Sequence, residues 1–215
     1  MTSGSLLAVC SVHALKPDES IVGVTAIDKR TVEGPVLVHQ LGLRTDVQAD
    51  RKHHGGELKA LYAYAEEDAA QWAAELGREV PAGLFGENLR TQGLPVSQAL
   101  VGERWRIGSK VTAEVTMPRI PCATFERYMA EPGWAKRFLR KGLPGAYCKV
   151  VQAGEIAMGD SIEVIFRPGH GVSVADVFGG LDKAQAQALL DSEAAGEISI
   201  GGNVNKAIKL ALRRG

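Results

Sequence analysis

Short runs in which apolar and polar residues alternate are the main pattern along this chain. The alternation is clearest from Leu100 to Ile107 and from Val111 to Met117, two runs joined by Gly108 and Ser109, and it predicts a β-hairpin there. Other strand-like runs cover residues 6–13, 22–27, 34–39, 61–65, 83–89, 146–151 and 161–166. Many short strands with few helices between them predict a closed β-barrel.

Helical periodicity is found in fewer places. Glu66, Glu67 and Asp68 supply the negative charge that a helix N-terminus favours, and Gly77 supplies a stop. Further helices are predicted over residues 125–129, 134–140, 182–190 and 204–212. The predicted fold class is therefore mainly β with some α.

The change from alternating to helical periodicity suggests two parts. We predict a β-barrel domain over residues 1–168 and a small C-terminal helical extension over residues 169–215. Because the extension is too short to hold a comfortable core of its own, we expect it to pack on the barrel or on a second subunit. Helical appendages of this kind favour a homodimer.

Composition excludes several classes of partner. The chain has 215 residues, 45% of them hydrophobic, and its 25 basic residues balance 25 acidic ones. A balanced chain has no general attraction for nucleic acid or an anionic membrane, so any anion site must be local. The start of the chain lacks a secretory pattern, and no apolar run reaches membrane-spanning length, which predicts a cytoplasmic protein.

Three widely spaced cysteines argue against a disulfide framework or a structural zinc site.

One cysteine follows a strand that stops abruptly, in Met117-Pro118-Arg119-Ile120-Pro121-Cys122. Proline cannot donate to a sheet ladder and restricts the residue before it, so the two prolines hold Cys122 on a stiffened backbone. If Arg119 lies close, it favours the thiolate, the form that attacks electrophiles or binds soft metals. The alternative is a small buried residue after a strand.

A loop rich in donors precedes the first predicted helix. Arginine and glycine-exposed amides suit phosphate oxygens, so this loop predicts an anion site, most simply for a phosphate. The loop residues concerned are Arg51, Lys52, His53, His54, Gly55, Gly56 and Lys59. The alternatives are a solvated basic loop and, with less support from the spacing, a zinc site at the paired histidines.

A second polar group is set into the apolar run Phe85-Gly86-Glu87-Asn88. Asn88 can donate to and accept from the edge of a heterocycle, and Glu87 can accept from its N–H groups. The alternative is that both side chains only satisfy a neighbouring turn.

Together these segments resemble the molybdenum cofactor sulfurase C-terminal (MOSC) domain family. The resemblance is carried by Ala49–Gly56, Leu84–Leu89, Gly102–Gly108 and Pro118–Cys122, and it is most similar to the bacterial branch of 6-hydroxylaminopurine-resistance proteins. It implies a pyruvate-kinase-like β-barrel with a helical C-terminal extension, which binds the molybdenum cofactor (molybdopterin). Met117 departs from the family pattern, because many relatives carry a polar residue there.

The resemblance also implies residue roles. Cys122 would be the catalytic residue and the molybdenum ligand, and Arg119 with the loop from Arg51 to Lys59 would neutralise the cofactor phosphate. The segments Phe85-Gly86-Glu87-Asn88 and Pro118-Arg119 would complete the cofactor site. The implied reaction is reduction of N-hydroxylated bases and related compounds.

The chain carries no dinucleotide fingerprint, haem motif or iron–sulfur cysteine cluster, so electrons would come from a separate flavin or iron–sulfur reductase. A second hypothesis is a carrier of sulfur or of the molybdenum cofactor that uses the same cysteine without turnover. A third is a barrel that has lost its cofactor and serves as a binding module.

Overall fold

The computed structural model describes residues 3–49 and 55–213, and that part contains eleven strands and six α-helices. The strands are β1 (Ser3–Pro17), β2 (Val24–Thr31), β3 (Val36–His39), β4 (Gly42–Leu43), β5 (Leu61–Ala65), β6 (Leu89–Gln92), β7 (Arg104–Ile107), β8 (Val111–Pro118), β9 (Ala146–Gln152), β10 (Gly154–Ile156) and β11 (Ser161–Phe166). The helices are α1 (Glu66–Leu76), α2 (Ala123–Met129), α3 (Trp134–Lys141), α4 (Val174–Gly179), α5 (Lys183–Ala194) and α6 (Gly202–Arg213).

Seven strands close into a barrel in the order β1-β11-β7-β8-β9-β5-β6, with β6 returning to β1. Only β5 and β6 run parallel, and the other neighbours in the barrel are antiparallel. The length of β1 lets it serve two purposes, since residues from Ser3 to Val9 pair with β11 and β6 while Cys10 to Pro17 pair with β2 outside the barrel. The predicted closed barrel is confirmed, and β3, β4 and β10 form a small separate sheet.

Most predicted elements are present, including the hairpin of β7 and β8 and the two short helices after Cys122. The strand predicted over residues 83–89 is wrong, because most of it is a turn and β6 begins only at Leu89. Gly83 and Gly86 have φ of +90° and +73°, a conformation that does not continue a strand. Helix α4 was not predicted, since six residues are too few to show a helical period.

The buried apolar residues form two clusters. The larger fills the barrel and includes Val174, Leu189, Val204 and Ile208 from the C-terminal helices, so the extension packs on the barrel. The smaller is an aromatic cluster beneath α1, α2 and α3; it contains Tyr64, Trp72, Phe85, Phe125, Trp134 and Phe138.

The predicted boundary between barrel and extension at residue 168 stays a prediction. None of the described helices has the length and apolar character that crossing a membrane requires.

Candidate functional site

An open cleft lies where β2, the loop at residues 46–49 and the corner between β8 and α2 meet. It encloses about 860 Å³, including the solvent at its mouth. Its polar lining brings together side chains that are far apart in the sequence: Lys29, Asp46, Lys59, Asn88, Arg119, Cys122 and Thr124. Tyr62 and Tyr147, which pair across β5 and β9, contribute aromatic surface to the same cleft.

Cys122 is the cysteine that lines this cleft. It is half-buried and occupies the N-cap position of α2 with an extended backbone. Cys10 and Cys148 are both fully buried. Burial raises the pKa of the Cys10 thiol to about 12 and also raises the pKa of Cys148, so neither thiol is suited to react.

Arg119 places a buried positive charge beside Cys122. Its guanidinium lies 3.7 Å from the centre of the Phe125 ring and 5.3 Å from that of Tyr62, and it donates to the carbonyl oxygen of Phe85. Burial acts to lower the pKa of Arg119, but attraction to Tyr147, Tyr62 and Cys122 outweighs it and raises the pKa. The guanidinium therefore stays charged within the electrostatic reach of the cysteine.

A largely buried ion pair also lines the cleft. Lys29 Nζ lies 2.5 Å from Asp46 Oδ2, which also accepts a hydrogen bond of 2.7 Å from Asn88 Nδ2. Asp46 Oδ1 accepts from the amide of Val12 at 3.0 Å. Sequence analysis missed Lys29 and did not single out Asp46, because a lysine within a strand and an aspartate in a loop resemble ordinary surface residues until the fold brings them together.

The hydrogen bonds of Asn88 limit what it can offer a ligand. Nδ2 donates to Asp46 and to the carbonyl of Cys10, and Oδ1 accepts from the amide of Tyr62 at 3.2 Å. Both amide hydrogens are therefore engaged within the protein, and what remains is the second lone pair of Oδ1. Asn88 lines the cleft as an acceptor.

Phe85 and Glu87 lie behind the cleft. The Glu87 carboxylate is fully buried and accepts from the amides of Gly83 at 2.8 Å and Phe85 at 3.0 Å and from the guanidinium of Arg90. The Phe85 ring packs in the aromatic cluster, and of this segment only Gly86 and Asn88 line the cleft. The geometry gives Phe85 and Glu87 a supporting position, and their contact with a cofactor stays a prediction.

The donor loop is described only in part. Arg51, Lys52, His53 and His54 lie outside the described residues. Lys59 lines the cleft with Nζ 5.8 Å from the centre of the Tyr147 ring.

The two loop glycines and Pro118 lie outside the cleft lining found among the described residues. The Gly56 amide donates to Gln48 Oε1 at 2.9 Å, and Gly55 precedes it in an irregular segment. Pro118 is buried at the end of β8, where it pairs with Ala146. A cofactor contact of any of the three stays a prediction.

Comparison with known proteins gives the family. Residues 50–163 match the MOSC domain model. The chain is 30% identical to the uncharacterized protein YflK of Bacillus subtilis over 70% of this chain and 67% of that one. It is 32% identical to a protein named Reductase from Gibberella moniliformis over 71% of this chain, but the match spans only 28% of the fungal protein.

A solved structure shares the whole fold. The crystal structure of YiiM from Geobacillus stearothermophilus superposes with a TM-score of 0.74 and 25% identity, over 97% of this chain and 99% of that one. The barrel, the helices after it and the matched segment are thus common to both proteins. This chain belongs to the MOSC domain family, in the bacterial branch that resembles YiiM and YflK.

Proposed function

We propose that this protein binds the molybdenum cofactor through Cys122 and reduces N-hydroxylated bases and related N-oxygenated compounds. The observation that carries the proposal is a cysteine at the edge of an open cleft, with a buried arginine beside it and two lysines on the lining. A relative named a reductase supports redox chemistry.

The residues of the cleft suit such a cofactor. A thiolate is a soft ligand of the kind that a thiolate-rich molybdenum centre accepts. Lys29, Lys59 and Arg119 bring positive charge to the lining, which suits a phosphate, and Asn88 offers an acceptor for a heterocycle N–H. The bound cofactor would supply the two-electron chemistry that removes the oxygen of an N–O bond as water.

The protein's own contribution is to position and to shield. The prolines and the start of α2 fix the Cys122 backbone, and Phe125 and the Phe85 carbonyl hold Arg119 next to it. Tyr62 and Tyr147 form an apolar wall of the cleft. Because the chain has no electron-transfer motif of its own, a separate flavin or iron–sulfur reductase would deliver the electrons.

The test is metal analysis combined with turnover. Protein produced in a host that makes the cofactor should contain molybdenum and reduce 6-hydroxylaminopurine with an artificial electron donor. Cys122→Ser should lose the activity, because a hydroxyl is a poorer ligand for a soft metal. Cys148→Ala is the matched control, since it removes a thiol that lies outside the cleft lining.

Three outcomes separate the hypotheses. Turnover that depends on Cys122 supports the reductase. Cofactor or persulfide sulfur that is held on Cys122 without turnover would contradict the reductase hypothesis and support the carrier hypothesis. Protein from such a host with neither molybdenum nor extra sulfur on Cys122 would contradict both and leave a binding module.

A further inference from the structure

A second cavity adjoins the cleft. It lies between the connection of β1 to β2 and the outer face of α2, and it encloses about 750 Å³, including solvent at its mouth. Thr25 and Thr124 line both spaces, and Thr124 is two residues after Cys122. The second cavity is therefore a direct neighbour of the proposed reaction site.

The Asp18 carboxylate lies on the side of the second cavity that Thr124 shares with the cleft. Asp18 accepts from Thr124 Oγ1 at 2.9 Å and from the amide of Ser20 at 3.1 Å, and it forms a two-pronged pair with Arg127 at 2.8 and 3.0 Å. Its side chain is only 5% exposed. These contacts tie residues 106 positions apart in the chain, so the cavity has a defined shape.

The charged side chains that line the second cavity are already paired within the protein, apart from Glu19. Arg127 pairs with Asp18, and Lys16 lies 3.3 Å from Asp28. Glu19 adds an exposed carboxylate to the same lining. Among the described residues, the lining of the cleft carries three cationic side chains and one carboxylate, whereas the lining of this cavity carries two of each and so has no excess positive charge with which to bind a phosphate.

The remaining polar groups suit a neutral ring. Thr25 Oγ1 accepts from the Ile27 amide, which leaves the hydroxyl hydrogen to donate to a ligand. The Glu19 carboxylate can accept from an N–H or an N-hydroxyl group. Pro17 and the ring of Tyr128 supply apolar surface.

We infer that this second cavity receives the substrate, and that it selects the uncharged N-hydroxylated base over the corresponding nucleotide. The inference rests on the proposed function, since it assigns the cationic cleft to the cofactor. Charge repulsion from the exposed Glu19 carboxylate would disfavour a phosphorylated substrate, while the Thr25 hydroxyl would donate to the ring on the side that the cavity shares with the cleft.

A charge reversal tests this assignment. Cofactor-loaded protein would be compared on 6-hydroxylaminopurine and on its riboside 5′-monophosphate, in wild type, Glu19→Lys and Glu155→Lys. Glu155 lies on β10, is exposed and lines neither cavity, so it is the matched control. Glu19→Lys should raise kcat/KM for the monophosphate relative to the base about fivefold, whereas Glu155→Lys should leave the ratio unchanged.

Binding without turnover separates this inference from the proposed function. Ligand-observed NMR would follow both compounds on the same three proteins. If binding prefers the base and this preference shifts in Glu19→Lys, the cavity assignment is supported even when no reduction occurs. Absence of reduction would then refute only the reductase. If turnover occurs and the ratio of kcat/KM for the monophosphate to that for the base is the same in all three proteins, only the cavity assignment is overturned. Absence of both binding and turnover overturns both.

Discussion

At the scale of single residues, burial decides which groups can react. The three cysteines share one chemistry, but two are enclosed and only Cys122 lines the cleft. Arg119, although buried, keeps its charge because aromatic rings and a carbonyl oxygen surround it. Residue position relative to the cleft, more than residue type, therefore defines the site.

Thiol alkylation tests this distinction. Iodoacetamide near pH 8 should modify Cys122 first, because burial keeps the Cys10 pKa at about 12 and also raises that of Cys148. Mass spectrometry of the peptides gives the rate at each cysteine. In denaturant all three rates should become similar, and equal rates in the native protein would contradict the structure.

Gly86 illustrates a backbone requirement at the cleft. Its φ is +73°, and an added Cβ would lie 3.1 Å from Ile27 Cγ1. Gly86→Ala should therefore lower the free energy of unfolding by about 1–2 kcal/mol, measured by urea denaturation. Gly169→Ala, where an added Cβ meets nothing within 4 Å, is the control and should change it little. Equal effects would argue against strain at Gly86.

At the scale of elements, the site depends on contacts between distant segments. The β1–β2 connection is held to α2 by Asp18, and the loop after β4 is held to β2 and to the segment before β6 by Asp46. Both carboxylates use their oxygens on several donors at once. The Asp46 tie therefore positions side chains of the cleft lining, and the Asp18 tie positions Thr124, which lines both the cleft and the second cavity.

The Asp18 tie predicts a dependence of stability on pH. Burial acts to raise the pKa of Asp18, but its hydrogen bonds with Arg127, Ser20 and Thr124 outweigh that effect. They lower the pKa to about 2, below its value in the unfolded chain. The stabilisation is present above about pH 4 and is lost as pH falls toward 2. Asp18→Asn should cost on the order of 1–2 kcal/mol at pH 7 and little near pH 2.

Urea unfolding at several pH values measures the Asp18 effect. Glu163→Gln is a suitable control, because Glu163 is 47% exposed in its pair with Arg106 and should contribute less than about 0.5 kcal/mol. A cost of Asp18→Asn that does not vary with pH would refute the link to its ionisation.

At the scale of the whole molecule, the C-terminal helices share the apolar core of the barrel. Leu189 of α5 and Val204 and Ile208 of α6 belong to the same buried cluster as Trp105 and Met117. Met117 also packs against the start of α6, since an added Cβ at Gly202 would lie 2.9 Å from its Cε. Met117 thus joins barrel and extension.

This coupling can be measured because all three tryptophans lie before the extension, so their fluorescence reports on the barrel. Leu189→Ala should lower the stability seen by tryptophan fluorescence by about 2–5 kcal/mol. Leu210→Ala, at a half-exposed position of α6, should have a small effect. An unchanged barrel transition in Leu189→Ala would mean that the extension unfolds independently.

The sequence was sufficient to predict the closed barrel, the hairpin of β7 and β8 and the helical end of the chain. It also singled out Cys122 as the candidate reactive cysteine. Hydrophobic periodicity and the positions of glycine and proline are local signals, and they report these features directly. The arrangement of the folded chain was needed to see that Lys29 and Asp46 join the cleft, that Glu87 lies behind it and that Thr124 lines a second cavity. Those placements depend on contacts between segments far apart in the chain, where the fold, and not the local pattern, sets which side chains meet.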